Sequence, residues 1–349
     1  MVGQTKRKVA ILGATGMVGQ RFLSLLQNHP WFEVTALVAS ERSAGKTYGE
    51  AARWVLNEPM PDKYRDMPVV LSDAALDADL CFSAIPGDLA GPVESELAKK
   101  GYKIFSNAKA HRWDRDVPLL VPEVNPDHAH LVKRQNHGSG GYIVTNGNCS
   151  TIVMVMTLKP LVDAFGVKRV FVSTYQAVSG AGYPGVPSID ILGNVIPYIG
   201  SEEEKIEREP LKMLGTLGPD GVAPADLRVS ATAVRVPVEE GHSMAVSVEL
   251  GRAATPEEVA RTMREWRSRP QHLKLPSAPE RPLEVLSETN RPQPRKDWRR
   301  GNGMSVNVGR IRPDPLFTVK YFASGSNTVR GAAGSNILGA ELLLAEGLL

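Results

Sequence analysis

Short apolar runs alternate with helical patterns over the first 150 residues, and this alternation limits the possible folds more than any other feature of the chain. The runs typical of buried strands are 8–12, 34–39, 69–71, 80–84, 103–106 and 143–145. Helices are predicted between them, near 17–28, 73–76 and 89–100. Strands that alternate with helices favour a parallel sheet covered on both faces. The sequence therefore predicts an α/β domain over residues 1–148.

The second half of the chain has a different pattern, and 349 residues are too many for one ordinary core. From residue 168 the predicted strands are longer and alternate between apolar and polar residues, at 170–177, 227–236, 244–250 and 316–321. Such strands are typical of a sheet with helices on one face. We expect an α+β domain over 149–330. The C-terminal segment 331–349, with a helix at 335–346, is expected to return to the first domain.

Two segments of the second half differ from their surroundings. The charged run at 201–207 predicts an exposed helix that continues towards residue 214, with a possible bend at Pro210. Residues 276–303 contain five prolines and little periodicity, so an irregular excursion is expected there.

Charge and cysteine content exclude several classes of protein. The chain has 41 basic and 38 acidic residues, a formal charge of +3, which gives no basic field for nucleic acid. No apolar run approaches the roughly 20 residues of a membrane span, and the N-terminus lacks the pattern of a secretory signal. Two cysteines rule out a disulfide framework and favour a reducing compartment. We expect a cytoplasmic protein that binds neither nucleic acid nor membrane.

A glycine-rich segment, GATGMVG at 13–19, follows the first predicted strand and opens a helix. Glycines allow the backbone to approach a pyrophosphate, and a helix N-terminus offers N–H groups and a positive dipole end. The spacing, G-x-x-G-x-x-G, is one residue longer in its first gap than the usual dinucleotide fingerprint. The segment predicts a Rossmann-type cofactor site that includes Gly13, Thr15, Gly16, Met17 and Val18.

The end of the second strand indicates which dinucleotide binds. An acidic residue there holds the ribose hydroxyls of NAD. Here the chain reads ASERS at 39–43, with Lys46 nearby, and hydroxyls with cations suit the 2′-phosphate of NADP. Glu41 leaves NAD as an alternative if the strand ends one residue later. We predict NADP(H), bound by Ser40, Arg42 and Ser43, with Ser83 near the nicotinamide half.

The segment NGNCST at 146–151 lies between a strand and an apolar helical run, 152–165. A thiol in the first turn of a helix faces the positive end of its dipole, which favours the thiolate, and N–H groups there can stabilise an oxyanion. Pro160 is expected to kink or split this helix. Cys81, inside an apolar strand, has the pattern of a small buried hydrophobe. Cys149 is therefore the candidate nucleophile.

Five motifs together resemble the aspartate-β-semialdehyde dehydrogenase family, in particular its archaeal and fungal branch. They are GATGMVG, SNAKAHR, NGNCST, the Glu209–Lys212 pair and RVPVEEGHS, and they occur in the expected order over nearly the whole chain. The resemblance implies a glyceraldehyde-phosphate-dehydrogenase-like fold, in which 1–148 binds NADP and 149–330 is the catalytic and dimerisation domain. It implies catalytic roles for Cys149, His242 and Gln176, and substrate or phosphate contacts for Arg112, Asn148, Glu209, Lys212 and Arg235. Ser179, Gly180 and Asn327 are assigned to the cofactor site, and no metal is predicted.

These roles also make chemical sense for aspartyl phosphate. Arg235 can clamp its carboxylate and Glu209 can pair with its ammonium group, while Arg112 and Lys212 hold the phosphate. His242, with an ordinary pKa of roughly 6.5, can exchange protons near neutral pH.

The expected function is NADPH-dependent reductive dephosphorylation of L-4-aspartyl phosphate to L-aspartate-4-semialdehyde, through a Cys149 thioester. This reaction belongs to the synthesis of lysine, threonine and methionine, and the family forms homodimers or homotetramers. Three alternatives stay open: malonyl-CoA reductase, N-acetylglutamyl-phosphate reductase and, outside enzymes, a dinucleotide-sensing protein.

Overall fold

The computed structural model describes residues 5–349, and the chain divides into two compact units. The first unit consists of the chain up to Leu120, of Asp127–Asn146 and of Asn336–Leu349. The second consists of Val121–Pro126 and Gly147–Ser335. Within residues 5–349 no helix combines the length and apolar character needed to cross a membrane.

The first unit contains one parallel sheet of six strands, in the order β3-β2-β1-β4-β5-β6. The strands are β1 (Arg7–Leu12), β2 (Phe32–Val38), β3 (Val69–Val70), β4 (Leu80–Ser83), β5 (Lys103–Ser106) and β6 (Tyr142–Thr145). The helices are α1 (Met17–Leu26), α2 (Tyr48–Ala51), α3 (Asp62–Arg65) and α4 (Gly87–Lys99), with a 3₁₀ segment at Pro126–Arg134. The strand order reverses between β1 and β4, and ligands of such sheets bind at the carboxyl ends of the strands at this point.

All six strands predicted for this unit are present, with ends shifted by up to two residues. The helix predicted at 73–76 is absent, and a turn occupies this place, in which the Ala74 N–H donates to the carbonyl of Leu71. The Tyr102 hydroxyl binds both the N–H and the carbonyl of Leu76, each at 3.0 Å. This long-range pairing satisfies the backbone of Leu76 without helix.

The second unit contains a mixed six-stranded sheet, in the order β10-β7-β11-β14-β13-β12, and a hairpin of β8 and β9. The first helix of the unit is α5 (Cys149–Phe165), followed by β7 (Val167–Gln176), α6 (Ser188–Ile191), α7 (Glu202–Met213), β8 (Thr216–Gly218), β9 (Gly221–Ala223), β10 (Arg228–Arg235) and β11 (His242–Leu250). Next come α8 (Pro256–Glu265), α9 (Arg269–His272), β12 (Leu283–Val285), α10 (Pro294–Asp297), β13 (Val306–Pro313), β14 (Val319–Gly325) and α11 (Gly334–Ala345), of which α11 passes into the first unit. The predicted α/β plus α+β fold class is confirmed.

The sheet of the second unit departs from expectation at its far edge. Strands β12 and β13 were not predicted. In β13, Gly309 and the left-handed Arg310 (φ 57°) interrupt the alternation, and the three-residue β12 lies in the segment expected to be irregular. The strand predicted at 316–321 begins only at Val319. Asp314 Oδ1 accepts the N–H groups of Leu316 and Phe317, which folds these residues into a turn.

Two helices also differ from their predictions. Helix α5 is unbroken across Pro160, because nearly its whole length is buried and packing compensates for one lost hydrogen bond. Helix α7 is not an exposed helix: Glu202, Ile206, Glu209 and Met213 recur along one buried face. The segment 276–303 is more ordered than expected, since the fully buried Asp297 accepts from Arg291 and Arg300.

Candidate active site

Cys149 is the first residue of α5, and the structure separates it clearly from Cys81. Asn148 caps the helix, because its Oδ1 accepts the N–H of Thr151 at 3.0 Å. Cys149 is half-buried beside the fully buried Ser150. Cys81 is completely buried in β4, and burial raises the pKa of its thiol to about 12. Of the two thiols, only that of Cys149 combines access with a helix N-terminus.

His242 opens β11 and is completely buried, with Nε2 3.2 Å from Cys149 Sγ. Its Nδ1 accepts the N–H of Ala177 at 3.1 Å. In the neutral ring the proton is therefore on Nε2, facing the sulfur. Burial lowers the pKa of His242 to about 3; the Glu202 carboxylate opposes this shift, and the Arg235 guanidinium adds to it. The ordinary pKa assumed from sequence is wrong, since the imidazole is neutral across the physiological range.

Arg235 ends β10 directly opposite Gln176 of β7, and it is buried. Its Nη1 donates to the carbonyl of Ala177 at 2.7 Å. Burial lowers the pKa of Arg235, whereas Cys149 and Glu202 oppose that shift. In the described part of the chain no carboxylate lies within 4.0 Å of this guanidinium. Such a cation can pair with an anion from outside the protein.

Glu202 is a site residue that the sequence analysis missed. Its Oε1 accepts from Asn148 Nδ2 at 2.8 Å and from Gln176 Nε2 at 3.0 Å, and it is 5% exposed. The run of four charges around it indicated a solvated face. The recurring apolar positions Ile206 and Met213 were the signal that one face of this helix is buried.

Glu209, two helical turns after Glu202 in α7, binds the same residue of the cysteine segment. Its Oε2 accepts the main-chain N–H of Asn148 at 2.7 Å. The close approach needs Gly147, where a Cβ would lie 2.0 Å from Met213 Cε and 3.4 Å from Glu209 Oε2. Lys212 lies half-buried on the same helix.

Three residues assigned to the cofactor site lie together beside His242. Asn327 donates to Ser179 Oγ at 2.9 Å, and its Oδ1 accepts the N–H of Gly241 at 2.9 Å. A Cβ at Gly180 would lie 2.9 Å from Arg235 Nη1 and 3.0 Å from His242 Cε1. Only glycine therefore fits at position 180 without a shift of the site.

Gly331, another residue that the sequence analysis missed, packs on Cys149. It belongs to a π-helical turn, Val329–Ala333, and a Cβ there would lie 2.6 Å from Cys149 Cβ. Arg330, in the same turn, is completely buried and forms a bidentate ion pair with Glu123, at 2.9 and 2.8 Å. A single buried glycine gave no periodic signal in the sequence.

In the first unit, the glycine-rich turn has the geometry of an anion site. Gly13 has a φ of 77°, and a Cβ there would lie 2.6 Å from the carbonyl oxygen of Ala84. Gly16 is the exposed N-cap of α1, whose first turn holds Met17 and Val18 and no acidic residue. Thr15 is fixed by Gln20 Nε2, which donates to its carbonyl at 3.0 Å. The turn fits the pyrophosphate of the predicted dinucleotide.

The residues after β2 also fit the predicted cofactor. The strand ends at Val38, earlier than expected, so Glu41 lies in the following turn rather than at the strand end. Ser40 and Arg42 are exposed and Ser43 is buried in this turn. The early end of β2 weakens the case for an acidic ribose ligand and favours a 2′-phosphate.

Ser83 and Arg112 of the first unit are both held by neighbours. Ser83 is completely buried and donates to Glu94 Oε1 at 2.6 Å, and burial raises the pKa of Glu94. Arg112 is buried and donates from Nη2 to the carbonyl of Asn107 at 3.0 Å. Their assigned contacts with cofactor and phosphate stay predictions.

Family models match both halves of the chain. A semialdehyde dehydrogenase NAD binding domain matches residues 8–132, and a semialdehyde dehydrogenase dimerisation domain matches residues 158–330. Similar proteins include aspartate-semialdehyde dehydrogenase of Methanothermobacter thermautotrophicus, 54% identical over 96% of this chain and 98% of the relative. The same enzyme of Schizosaccharomyces pombe is 45% identical over 98% and 99%.

Solved structures agree with these relatives. The crystal structure of aspartate semialdehyde dehydrogenase with NADP from Candida albicans matches with a TM-score of 0.92 and 40% identity, over 99% of this chain and all of that one. Aspartate semialdehyde dehydrogenase II of Vibrio cholerae, complexed with ASA, matches with a TM-score of 0.79 and 29% identity, over 98% and 99%. Taken with the paired thiol and imidazole, these matches show that the chain belongs to the aspartate-semialdehyde dehydrogenase family.

Proposed function

We propose that the protein catalyses the NADPH-dependent reductive dephosphorylation of L-4-aspartyl phosphate to L-aspartate-4-semialdehyde, with Cys149 as nucleophile. The observation that carries this proposal is the sulfur at the start of α5, 3.2 Å from the Nε2 of His242. Membership of the family supports the substrate class and the place of the reaction in amino-acid biosynthesis.

The first half of the proposed reaction forms a thioester. The thiolate of Cys149, whose proton has passed to solvent, attacks the acyl carbon. A C–S bond forms, the C–O bond to phosphate breaks, and the released phosphate takes a proton from solvent. His242 donates a hydrogen bond from Nε2, first to the sulfur and then to the oxygen on the attacked carbon. We expected from sequence that His242 accepts the thiol proton. The Ala177 N–H on Nδ1 favours the ring as donor instead.

The second half of the reaction returns the thiol. The nicotinamide, when bound, supplies the hydride that reduces the thioester. The oxyanion so formed on the former acyl carbon lies at the N-terminus of α5, whose N–H groups stabilise it. It collapses by breaking the C–S bond, which releases the semialdehyde and restores the thiolate of Cys149.

Substrate recognition is proposed to follow charge. Arg235 binds the α-carboxylate in bidentate fashion, and Glu209 attracts the ammonium group. Lys212 and Arg112 are proposed to hold the phosphate. On the cofactor side, the turn at Gly13–Gly16 is proposed to hold the pyrophosphate, and Arg42 with its neighbouring serines the 2′-phosphate.

One assay tests the proposed function. The protein is incubated with L-aspartate-4-semialdehyde, phosphate and NADP, and formation of reduced nicotinamide is followed. Separate arms replace phosphate by CoA and NADP by NAD. We expect turnover with phosphate and NADP and none for Cys149→Ala, because no other group can form the thioester. Turnover with CoA but not phosphate, or a tenth of wild-type activity in the alanine variant, would overturn the proposal.

Assembly and location are proposed from the same features. The dimerisation domain supports a homo-oligomer, and we propose a homodimer or homotetramer. Large apolar side chains lie exposed in the second unit, among them Phe171 (44%), Ile189 (87%) and Tyr198 (71%). Light scattering coupled to gel filtration distinguishes these states from a monomer. A nucleophilic thiol works in a reducing compartment, so we propose the cytoplasm.

A further inference from the structure

Glu202 is a buried carboxylate between two residues of the site, and no assigned role accounts for it. One oxygen, Oε1, accepts from both Asn148 Nδ2, at 2.8 Å, and Gln176 Nε2, at 3.0 Å. The residue as a whole is 5% exposed and its side chain alone 7%. It joins the residue before the nucleophile to the last residue of β7.

The hydrogen bonds of Glu202 fix the orientation of the side-chain amides of Asn148 and Gln176. The Nε2 of Gln176 has two hydrogens, and its second partner is Thr174 Oγ1 at 3.2 Å. Both donors are then used within the protein, so Gln176 offers a ligand only its carbonyl oxygen. For Asn148, the bond to Glu202 turns Oδ1 towards the N–H of Thr151 and so maintains the cap of α5.

Glu202 is ionised in the folded protein. Burial acts to raise the pKa of Glu202, but Lys205, at 3.3 Å, and the two amide donors outweigh it and hold the pKa below its usual range. The other charged or titratable groups near it are Glu209 on the same helix, Arg235 on β10, His242 on β11 and Cys149 on α5. A negative charge therefore lies near the imidazole and is hydrogen-bonded to the residue that precedes Cys149.

Stability alone is a poor explanation for this carboxylate. Removing a carboxylate from water is costly, and an apolar side chain at a buried position of a helix avoids that cost. Glu203, the next residue, is half-buried and accepts the N–H of Ala233 at 2.9 Å. The same helix can therefore bind β10 through a carboxylate that loses less hydration than Glu202 does.

We propose that Glu202 is a positioning residue of the thioester site, which orients the amides of Asn148 and Gln176 and places a fixed negative charge beside His242. The catalytic role of Glu202 rests on the proposed function, whereas the geometry of its hydrogen bonds does not.

The first test is kinetic and uses four variants of the full chain. Glu202→Gln keeps the shape and removes the charge, and Glu202→Ala removes both. Glu203→Gln and the exposed Glu204→Gln are matched controls on the same helix. We expect kcat for semialdehyde oxidation to fall about tenfold in Glu202→Gln and about 100-fold in Glu202→Ala, with KM for the semialdehyde changed less than about threefold. Both controls should stay within about twofold of wild type.

The second test needs neither substrate nor cofactor. The rate of Cys149 alkylation by iodoacetamide is measured against pH for wild type and Glu202→Gln. Removal of a nearby negative charge favours the thiolate, so the midpoint should move to lower pH, and it should not move in the controls. Melting temperatures show whether each variant is folded.

The outcomes separate the two proposals. An unchanged kcat and alkylation midpoint in Glu202→Gln, or an equal loss in Glu203→Gln, would overturn the role of Glu202. If the wild type fails to oxidise the semialdehyde while the midpoint still moves, the proposed function fails and the placement of the charge stands. If Glu202→Ala is unfolded, Glu202→Gln alone decides.

Discussion

At the scale of single residues, burial decides what each charged group of the site can do. His242 is neutral because it is buried, although a carboxylate lies near it. Arg235 is buried too, yet a guanidinium stays protonated at any pH that proteins experience. The site therefore holds a permanent cation and a neutral hydrogen-bond donor near the Cys149 sulfur, a combination suited to an anionic substrate.

The permanent cation gives a prediction for substrate recognition. Arg235→Leu should reduce kcat/KM for the semialdehyde roughly 100-fold, a loss of about 3 kcal/mol in transition-state stabilisation. The reason is that the substrate carboxylate then lacks its proposed partner. Arg228→Leu, at the exposed start of the same strand, is the matched control and should stay near wild type. Steady-state kinetics measure both. A loss below about threefold in Arg235→Leu would show that another group binds the carboxylate.

At the scale of elements, the position of α5 depends on small residues on both sides of its first turn. Gly147 allows α7 to approach, and Gly331 brings the π-helical turn against Cys149. The buried ion pair of Arg330 and Glu123 holds this π-helical turn in place. Cys149 is thus set between two packed elements rather than on a free loop end.

A single added methyl group tests this packing. Gly331→Ala would place a Cβ 2.6 Å from Cys149 Cβ, so either the helix or the turn must shift. We expect kcat to fall by more than about tenfold, since small displacements of a nucleophile are costly. Gly339→Ala is the control, because its Cβ would meet Leu120 at an ordinary 3.5 Å. Activity of Gly331→Ala equal to that of this control would refute the packing argument.

The sequence predicted some elements better than others, for reasons that this packing explains. Strands of the first sheet are buried on both faces and appear as continuous apolar runs, so their positions were clear. Strand β13 was missed because a bulge at Gly309 breaks its alternation. Cys149 and His242, which the structure places 3.2 Å apart, were singled out through local motifs. Glu202 and Gly331 reach the site through contacts between distant segments, which no local pattern records.

At the scale of the whole molecule, the buried imidazole couples stability to pH. The folded-state pKa of His242 is about 3, below the unfolded value of 6.5. Between pH 6.5 and about pH 3 this histidine is protonated in the unfolded chain but not in the folded one. Its contribution to the stability of the fold is therefore fully present above pH 6.5 and is lost as pH falls towards about 3.

Urea unfolding between pH 7 and 5 measures this coupling. The free energy of unfolding should fall with a contribution of up to about 1.4 kcal/mol per pH unit from this one group. His242→Gln lacks the titrating ring, so its stability should depend less steeply on pH. Equal slopes in the variant and the wild type would show that His242 is not buried in neutral form.

The interleaving of the two units has a consequence for how the protein is made. Asn336–Leu349 belongs to the first unit, and Glu341 within it binds the buried His29 at 2.7 Å. A ribosome must therefore translate the entire second unit before the first can acquire its final helix. During synthesis His29 lacks its partner, because the codon for Glu341 is translated some three hundred codons later.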